Sequence, residues 1–448
     1  MIRSRVCHCN YIMLAALVMG CPAGSRLPAE EPAGTVSGWT QWRGPAANGS
    51  AASDARPPIH WDAATNIRWT ANLPGEGAAT PIVWDQQVFL LSAEITERRT
   101  ETPAAADEQA KTVPPAEYYR FLVTSIDRQT GSVRWQRLAT EQVPHEGHHP
   151  SHTFAAGSPT TDGERLYATF GSRGFYCYAL DGTLLWNRDL GDMRTRFGWG
   201  EAVTPVLAED LLIVNWDQEE NSFITALDKR TGEDVWRVAR PGEVTSWNTP
   251  LVTESDGRLI VIVNGTQRVR CYDARNGEEL WSCGGQSINA IPSVVRFEDT
   301  AICMSGYRSA AAFAVPLNSS GDITGSDAIR WQHHSGTPYV PSPAVSGRRI
   351  LFTAGNTDVL SCLDAGSGEV LTERRRLPGV GSLYASPLVA GGHVYFTGRE
   401  GTTVVLQDNQ TLDVAAVNVL NDAIDASPVA VDHQLFLRSR TRLYCIAE

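Results

Sequence analysis

A repeat of about 45 residues constrains the fold of this chain more than any other feature of its sequence. The stretch ALDKRTGEDVW at 226–236 returns as CYDARNGEELW at 271–281, with its Asp, Gly, Glu and Trp each displaced by 45 residues. A fixed period of that size marks a repeat architecture, in which each period forms one supersecondary unit that packs on its neighbours. The first question is therefore which unit one period encodes.

The repeated stretch predicts a β-hairpin with a tight, bulged turn. Its core is Asp-x-x-(Thr/Asn/Ser)-Gly, followed by an apolar pair and often by Trp. The Asp side chain satisfies backbone N–H groups inside such a turn, and Gly supplies the left-handed residue. Full copies stand at 127–135, 228–236 and 273–281, a copy without the Trp at 364–368, and a shortened copy at 181–186.

A proline marker keeps the same period and completes the unit. An X-Pro dipeptide opens an apolar run, as expected for a proline at the first residue of a strand. The prolines are Pro81, Pro159, Pro205, Pro250, Pro292, Pro343, Pro387 and Pro428. Each period then holds four short strands, and four-stranded units at this spacing are the blades of a β-propeller. The predicted fold class is all-β, an eight-bladed propeller of four-stranded antiparallel blades.

The two chain ends predict how the ring closes. The last unit stops after its third strand at Glu448, and the missing fourth-strand pattern stands near the N-terminus as NIRWTANLPG at 66–75. We expect residues 66–70 to pair with the last blade, because closure removes the exposed edges of an open array. One propeller domain then covers 39–448.

Two segments interrupt the period. The first, 97–117, is rich in Ala, Glu, Thr and Pro, lies between the second and third strands of the first blade, and is predicted to be disordered. The second is the histidine-rich stretch at 145–152. Second-to-third loops and fourth-to-first loops of a blade emerge on one face, so we expect both segments on the same face of the propeller.

The N-terminus predicts export. Arg3 and Arg5 precede the apolar run YIMLAALVMG, which is too short to span a bilayer, so 1–20 is interpreted as a signal peptide and 21–38 as a linker. The sequence ending at Cys21 resembles the bacterial lipobox, although Met19 replaces the usual small residue; a lipid anchor at Cys21 and an ordinary cleaved signal both stay open. The net charge of −12 disfavours nucleic acid as a partner. The predicted location is the periplasm or the membrane-associated envelope.

These repeats resemble the PQQ-like propeller family, which includes quinoprotein alcohol dehydrogenases and BamB-like exported propellers. The opening WTQWRGPAANG at 39–49 is similar to that of exported bacterial members. In the family's enzymes a Trp and a disulfide of adjacent cysteines clamp the quinone, and Glu, Asn and Asp bind Ca²⁺. This sequence has no Cys-Cys pair and no C-x-x-C-H haem motif. PQQ and Ca²⁺ are therefore expected only under an alternative in which Glu201, Asn248 and Asp425 hold the ion.

The recurring Trp and Cys residues are interpreted as structural. Trp at the shared repeat position should wedge between neighbouring blades and bury a large surface. The cysteines of the third strands should act as small buried hydrophobes. Cys283 and Cys303 are the one plausible disulfide pair in the sequence.

The segment HEGHHPSH at 145–152 formally matches the zinc-protease pattern H-E-x-x-H. That pattern needs a helix, which Pro144, Gly147 and Pro150 oppose, so we reject it. A solvated polar loop and a loop metal site remain open. The candidate metal ligands are His145, His148, His149 and His152.

The fourth-to-first loops should place aromatic and polar side chains around the mouth of the central channel, as a binding pocket requires. The candidate binding residues are His152, Trp199, Glu201, Trp247, Asn248, Asn289, Tyr339, Tyr384 and Asp425. With no recognisable catalytic set, the leading hypothesis is a monomeric, non-catalytic scaffold that binds an envelope protein or a small ligand. The alternative is a PQQ- and Ca²⁺-dependent dehydrogenase with an atypical cofactor site.

Overall fold

The computed structural model describes residues 38–105 and 108–448, which form eight β-sheets arranged as the blades of a propeller. The strands in chain order are β1 (Gly38–Trp39), β2 (Ile67–Asn72), β3 (Ile82–Trp84), β4 (Gln87–Arg99), β5 (Glu117–Asp127), β6 (Val133–Gln142), β7 (Thr160–Thr161), β8 (Arg165–Thr169), β9 (Phe175–Ala179), β10 (Leu184–Arg188), β11 (Val206–Ala208), β12 (Leu211–Trp216), β13 (Phe223–Asp228), β14 (Asp234–Ala239), β15 (Leu251–Ser255), β16 (Arg258–Val263), β17 (Arg268–Asp273), β18 (Glu279–Gly284), β19 (Val295–Phe297), β20 (Thr300–Ser305), β21 (Ala311–Pro316), β22 (Gly321–Asp322), β23 (Trp331–His333), β24 (Ala344–Ser346), β25 (Arg349–Thr353), β26 (Val359–Asp364), β27 (Val370–Arg376), β28 (Leu388–Ala390), β29 (His393–Thr397), β30 (Thr402–Gln407), β31 (Val414–Val419), β32 (Val429–Val431), β33 (Gln434–Arg438) and β34 (Arg442–Ile446). Two short 3₁₀ turns lie at Gly171–Arg173 and Arg196–Gly198.

Each blade is an antiparallel sheet whose first strand lies innermost. Blades 1 to 8 comprise β3–β6, β7–β10, β11–β14, β15–β18, β19–β21 with β23, β24–β27, β28–β31, and β32–β34 with β2. The short strands β1 and β22 add a fifth strand to blades 1 and 4. The all-β, eight-bladed prediction is confirmed. Within the described residues, no helix has the length and apolar composition needed to cross a membrane.

The ring closes through the N-terminal strand, as predicted. β2 pairs antiparallel with β34, placing Trp69 opposite Cys445 and Asn72 opposite Arg442. β2 thus supplies the outer strand of blade 8. The predicted signal peptide, Cys21 and nearly all of the predicted linker lie outside the described residues.

The recurring tryptophans join blades at six of the eight junctions. The indole N–H of Trp186 donates to Lys229 O at 3.1 Å, and the turn glycine Gly232 lies flat against the same ring. Equivalent bonds run from Trp69 to Arg128 O, Trp135 to Leu180 O, Trp236 to Ala274 O, Trp281 to Leu317 O and Trp331 to Ala365 O. All six rings are buried. For five of the six, all but Trp281, the docking surface is the Asp…Gly turn of the following blade. We call the side that carries these turns the turn face.

The residues beside the X-Pro prolines form a belt of hydrogen bonds around the channel. The backbone N–H of one blade donates to the Ser or Thr hydroxyl of the next at 2.9–3.2 Å. The bonds run from Thr80 to Ser158, Ser158 to Thr204, Thr249 to Ser293, Ser293 to Ser342, Ser342 to Ser386, Ser386 to Ser427 and Ser427 to Thr80. Because each proline lacks an N–H, its Ser or Thr neighbour supplies the link between blades.

Residues 38–60, here called the plug, fill the channel. The plug pairs with blade 1 through Trp39 opposite Val83, bonds to blade 7 through Ala51 N and Val389 O at 2.9 Å, and reaches blade 8 through Arg56 N and Asp432 O at 2.6 Å. At its centre Arg43 is 2% exposed and donates to Pro343 O at 2.7 Å and Pro387 O at 2.9 Å. Burial among these carbonyl groups lowers the pKa of Arg43 to about 9.

The segment 97–117, here called the insert, contacts its neighbours where the structure describes it, and its disorder stays a prediction from composition. β4 continues to Arg99 and β5 begins at Glu117, which makes blade 1 taller than the others. The backbone N–H of Lys111 donates to Phe197 O at 2.8 Å, and its ammonium lies 4.1 Å from the centre of the Phe197 ring. Composition favoured disorder, but long-range backbone bonds and a cation–π contact hold the loop against the loop between blades 2 and 3.

The one plausible disulfide pair of the sequence is not bonded in the structure. Cys283 and Cys303 are both free thiols with no exposed surface, as are the buried cysteines of the third strands. They therefore act as small buried hydrophobes, the role expected for the other cysteines.

Candidate functional site

A pocket of about 310 Å³ opens at the mouth of the central channel. Fourth-to-first loops of all eight blade junctions and one second-to-third loop contribute to it, and we call the side on which they emerge the mouth face. Six aromatic side chains line the pocket: Trp42, Trp199, Trp247, Tyr307, Tyr339 and Tyr384. Its size and its mixture of aromatic and polar groups match those of small-molecule sites.

The plug forms the floor of this mouth pocket. Trp42 lines the pocket directly, and the buried Arg43 next to it fixes the plug to blades 6 and 7. The plug therefore gives the pocket a fixed aromatic base and occupies the channel below it.

Two aromatic pairs form much of the wall. Trp199 and Trp247 stack with ring centres 6.3 Å apart and planes inclined by 28°, and Trp247 Nε1 donates to Gly200 O at 2.7 Å. Tyr307 and Tyr339 pack with ring centres 4.8 Å apart. Hydrogen bonding and stacking fix the orientation of these rings, so the pocket presents preformed flat apolar surfaces.

A polar network crosses the pocket from blade 7 to blade 1. Arg399 Nε donates to Asp425 Oδ1 at 2.6 Å, and its guanidinium lies 4.0 Å from the centre of the Tyr384 ring. The Tyr384 hydroxyl is 3.1 Å from Ser151 Oγ, which is 2.6 Å from His149 Nδ1. Asp425 is thus a carboxylate already neutralised by a guanidinium, and its neighbours are neutral hydrogen-bonding groups.

The two pocket histidines are uncharged at neutral pH. Burial lowers the pKa of His152 to about 4, and nearby His148 adds to the effect. Burial and the charge of Arg399 also lower the pKa of His149. Both imidazoles can therefore donate and accept hydrogen bonds without adding charge to the pocket.

The structure divides the predicted binding residues into two groups. His152, Trp199, Trp247, Tyr339, Tyr384 and Asp425 line the mouth pocket. Glu201, Asn248 and Asn289 lie outside its lining. Asn248 is buried, with its amide donating to Pro292 O at 2.9 Å and accepting from Asn264 N at 3.1 Å. Asn289 is buried beside the Tyr339 hydroxyl.

The three residues suggested as Ca²⁺ ligands do not meet in one site. Asp425 faces the mouth pocket and pairs with Arg399, Asn248 uses both ends of its amide within the protein, and Glu201 lines a separate cavity of about 30 Å³. A Ca²⁺ site needs several oxygen ligands around one point. These residues therefore do not fit the ion that would accompany PQQ.

Glu201 instead belongs to a polar cluster with His145 and Glu146. Their potential ligand atoms lie within 4.8 Å of one another, the one such group of three or more found in the part of the chain that the structure describes. Both nitrogens of His145 have protein neighbours, Met193 O at 2.7 Å from Nε2 and the Arg173 guanidinium at 3.3 Å from Nδ1. The guanidinium opposes a second cation, so the geometry favours an internally bonded cluster over a metal site.

Burial sets the protonation of this cluster. Burial raises the pKa of Glu146 to about 7 and that of Glu201 to about 8. The nearby carboxyl group of Glu146 adds to the rise in the pKa of Glu201. Burial lowers the pKa of His145. The other three candidate metal ligands lie apart from the cluster, with His149 and His152 in the mouth pocket and His148 against Phe154. The segment 145–149 is not helical, as the rejection of the zinc-protease pattern required.

The insert covers a third cavity, of about 260 Å³, next to the cluster. Thr112 of the insert, Glu146 and Arg196 all line it, so the insert and the histidine-rich segment share the mouth face as predicted. Among the lining residues that sequence reasoning missed are Trp42, Ser151 and Tyr307. Trp42 belongs to the motif WTQWRGPAANG, which the sequence analysis had singled out. Nothing in the spacing of that motif indicated that Trp42 enters the channel.

The architecture and the site together define the class of protein: a closed eight-bladed propeller with a plugged channel and an aromatic pocket at one mouth. A family model described as outer membrane protein assembly factor BamB matches residues 120–326 and 319–415. The chain belongs to this family of PQQ-like repeat propellers. No curated protein matches the sequence significantly.

Solved structures of two functional types share the fold. BamB from Moraxella catarrhalis is 14% identical, with a TM-score of 0.51 over 78% of this chain and 97% of that one. Quinohemoprotein alcohol dehydrogenase from Comamonas testosteroni is 11% identical, with a TM-score of 0.63 over 92% of this chain and 80% of that one. A europium-containing methanol dehydrogenase is 10% identical, with a TM-score of 0.61 over 90% and 89%. At these identities the likeness concerns the fold alone.

Proposed function

We propose that this chain is an exported, non-catalytic binding module of the bacterial cell envelope, which holds a small ligand or a segment of a partner protein in the mouth pocket. The observation that carries the proposal is the preformed aromatic pocket above a fixed plug. A rigid scaffold that presents variable loops on one face is where binding is commonly found. Membership of a family described by an outer-membrane assembly factor supports the envelope location.

The alternative function is that of a PQQ- and Ca²⁺-dependent dehydrogenase. The observation that favours this alternative is that a quinohemoprotein alcohol dehydrogenase shares the fold. The residues available for Ca²⁺ do not converge, and Asp425 is engaged by Arg399. The binding-module proposal therefore has the better support.

A fragment screen tests the proposal. We expect members of a neutral and charged fragment library, monitored by ligand-observed NMR, to bind the full chain and to lose binding in Trp199→Ala. The matched control is Trp84→Ala, another partly buried Trp, located at the turn-face end of β3. Fragments that bind both variants equally would place binding elsewhere. Tight binding of PQQ with Ca²⁺, accompanied by dye-linked alcohol oxidation, would replace the proposal with the enzyme alternative.

A further inference from the structure

The carboxylate of the mouth pocket is neutralised by guanidinium groups. Asp425 is the one carboxylate among the lining residues, and two guanidinium groups face it, Arg399 at 2.6 Å and Arg440 at 3.6 Å. Arg440 also lies 3.7 Å from Glu76. At the opposite wall, the Arg308 guanidinium lies 5.2 Å from the centre of the Tyr307 ring. Beside Asp425, a ligand with a full charge would lose its hydration without gaining an unpaired counter-charge. This side of the pocket therefore favours a neutral ligand.

The aromatic walls favour a ligand with a flat apolar face. The Trp199–Trp247 pair and the Tyr307–Tyr339 pair offer such surfaces above the floor formed by Trp42. A cation would also seek aromatic faces, but Arg399 already occupies the face of Tyr384. The other aromatic walls have no free carboxylate beside them. They therefore suit the C–H face of a ring better than an ammonium group.

Hydrogen-bonding groups surround these surfaces and alternate between donors and acceptors. Asp425 accepts, whereas Ser151 Oγ and the Tyr384 hydroxyl can both donate and accept. Below them, belt hydroxyls such as Thr80 and Ser427 line the pocket. The Thr80 oxygen accepts a backbone N–H, and its own proton can be donated to a ligand. Such an edge complements groups that donate and accept at once, as hydroxyl groups do.

We propose that the mouth pocket binds a neutral saccharide, with the sugar ring stacked on the Trp199–Trp247 pair and its hydroxyl groups bonded to Asp425 and Ser151. This inference rests on the proposed ligand-binding function and names the chemical class of its ligand. A sugar combines what the site offers: no net charge, an apolar C–H face and a rim of hydroxyl groups.

The test is a calorimetric and tryptophan-fluorescence titration of the full chain with neutral saccharides, namely glucose, cellobiose and di-N-acetylchitobiose. We expect at least one to bind with one-site stoichiometry. Trp199→Ala and Asp425→Asn should each weaken binding about tenfold or more, and the control Trp84→Ala should leave it unchanged. Because loss of the Arg399 pair in Asp425→Asn can disturb local folding, Ser151→Ala, which removes only a hydroxyl that the proposal bonds to the sugar, serves as a second variant with a smaller expected loss.

Three comparison ligands decide the chemical class. Cellobiouronic acid tests an anion of the same shape, choline tests a cation, and PQQ with Ca²⁺ tests the quinone. Tighter binding of any of them than of every neutral saccharide would overturn the saccharide proposal while leaving a binding function in place, as would binding only of non-sugar fragments. If neither saccharides nor fragments distinguish Trp199→Ala from the native chain, the proposed function fails as well.

Discussion

On the turn face six of the eight blade junctions are built from nearly the same Trp contact, whereas on the mouth face different blades contribute different side chains. Trp186 meets Gly232 on the turn face as Trp236 meets Gly277 one blade later. On the mouth face, the same two blades supply Trp199 and Trp247, and blade 7 supplies Tyr384. A contact that recurs at six junctions is explained by packing. We therefore look for the function on the mouth face, where side chains differ from blade to blade.

The largest effect is expected from removing the N-terminal segment, which contributes both to ring closure and to the mouth pocket. Deleting residues 38–72 eliminates the plug and β2, so blade 8 loses its outer strand and the pocket loses its floor. We expect a loss of about 5 kcal/mol or more, comparable to the whole stability of a domain, and aggregation through the exposed edge. Circular-dichroism melting and size-exclusion chromatography measure this. A truncated chain that stays monomeric and melts like the native one would refute the closure.

A single buried side chain of the plug should have the next largest effect. Arg43→Met keeps the bulk but leaves the carbonyls of Pro343 and Pro387 without their donor, which should cost about 2–4 kcal/mol in the free energy of unfolding. The control Arg56→Met loses only bonds to Ser53 O and Ala55 O of its own loop and should cost less than about 1 kcal/mol. Urea unfolding compares the two variants. Equal losses would mean that the plug is not anchored by Arg43.

The turn-face contact can be isolated with two glycines of similar backbone conformation. A β-carbon on Gly232 (φ 75°) would lie 2.7 Å from the Trp186 ring, whereas one on Gly257 (φ 73°) would meet nothing within 4 Å. Gly257→Ala should cost about 1 kcal/mol from backbone strain, and Gly232→Ala about 2–4 kcal/mol because the docked ring must also move. Thermal unfolding gives both values. Similar costs would show that the Trp–turn contact contributes little.

These contacts explain which parts of the molecule could be predicted from sequence. The turn Asp, Gly and Trp recur in sequence because they recur in space, so the blade count and the closure by 66–70 followed from their spacing. The mouth pocket converges only in three dimensions. Trp199 and Tyr384 were found because fourth-to-first loops share a face, but Trp42 reaches the pocket through a plug that no period reveals, and Glu201 turns away into a neighbouring cavity.

The insert shows how composition and tertiary contacts can point in different directions. Its composition is that of a disordered loop, yet Lys111 and Thr112 bond to the backbone of Phe197 and Gly198. Composition describes how much apolar surface a segment can bury by itself. It does not register a rigid neighbour that supplies carbonyl acceptors and an aromatic face.

The cluster on the mouth face predicts a smaller, pH-dependent effect. Because burial raises the pKa of Glu201 from its ordinary 4.5 to about 8, the folded state holds this proton more tightly than the unfolded state. Its contribution to stability is therefore greatest below pH 4.5 and declines as the pH rises through about 8. Glu201→Gln cannot ionise and should be more stable than the native chain at pH 9, by about 1–2 kcal/mol, with little difference at pH 5.

Melting temperatures between pH 5 and 9 check that sign. The exposed Glu164→Gln serves as the control and should follow the native curve throughout. A Glu201→Gln variant that is destabilised equally at both ends of the range would show that its carboxyl is ionised and structurally required in the folded state.

The most direct test of the account measures stability and binding together in two tryptophan variants. Trp236 belongs to the turn face and Trp199 to the mouth pocket. Trp236→Phe should lower the melting temperature but, at a temperature where both variants are folded, bind the saccharides or fragments of the native chain with unchanged affinity. Trp199→Phe should keep the native melting temperature and lose affinity. If instead both variants lose stability and binding in proportion, or Trp236→Phe alone loses binding, the division between a structural turn face and a functional mouth face is wrong.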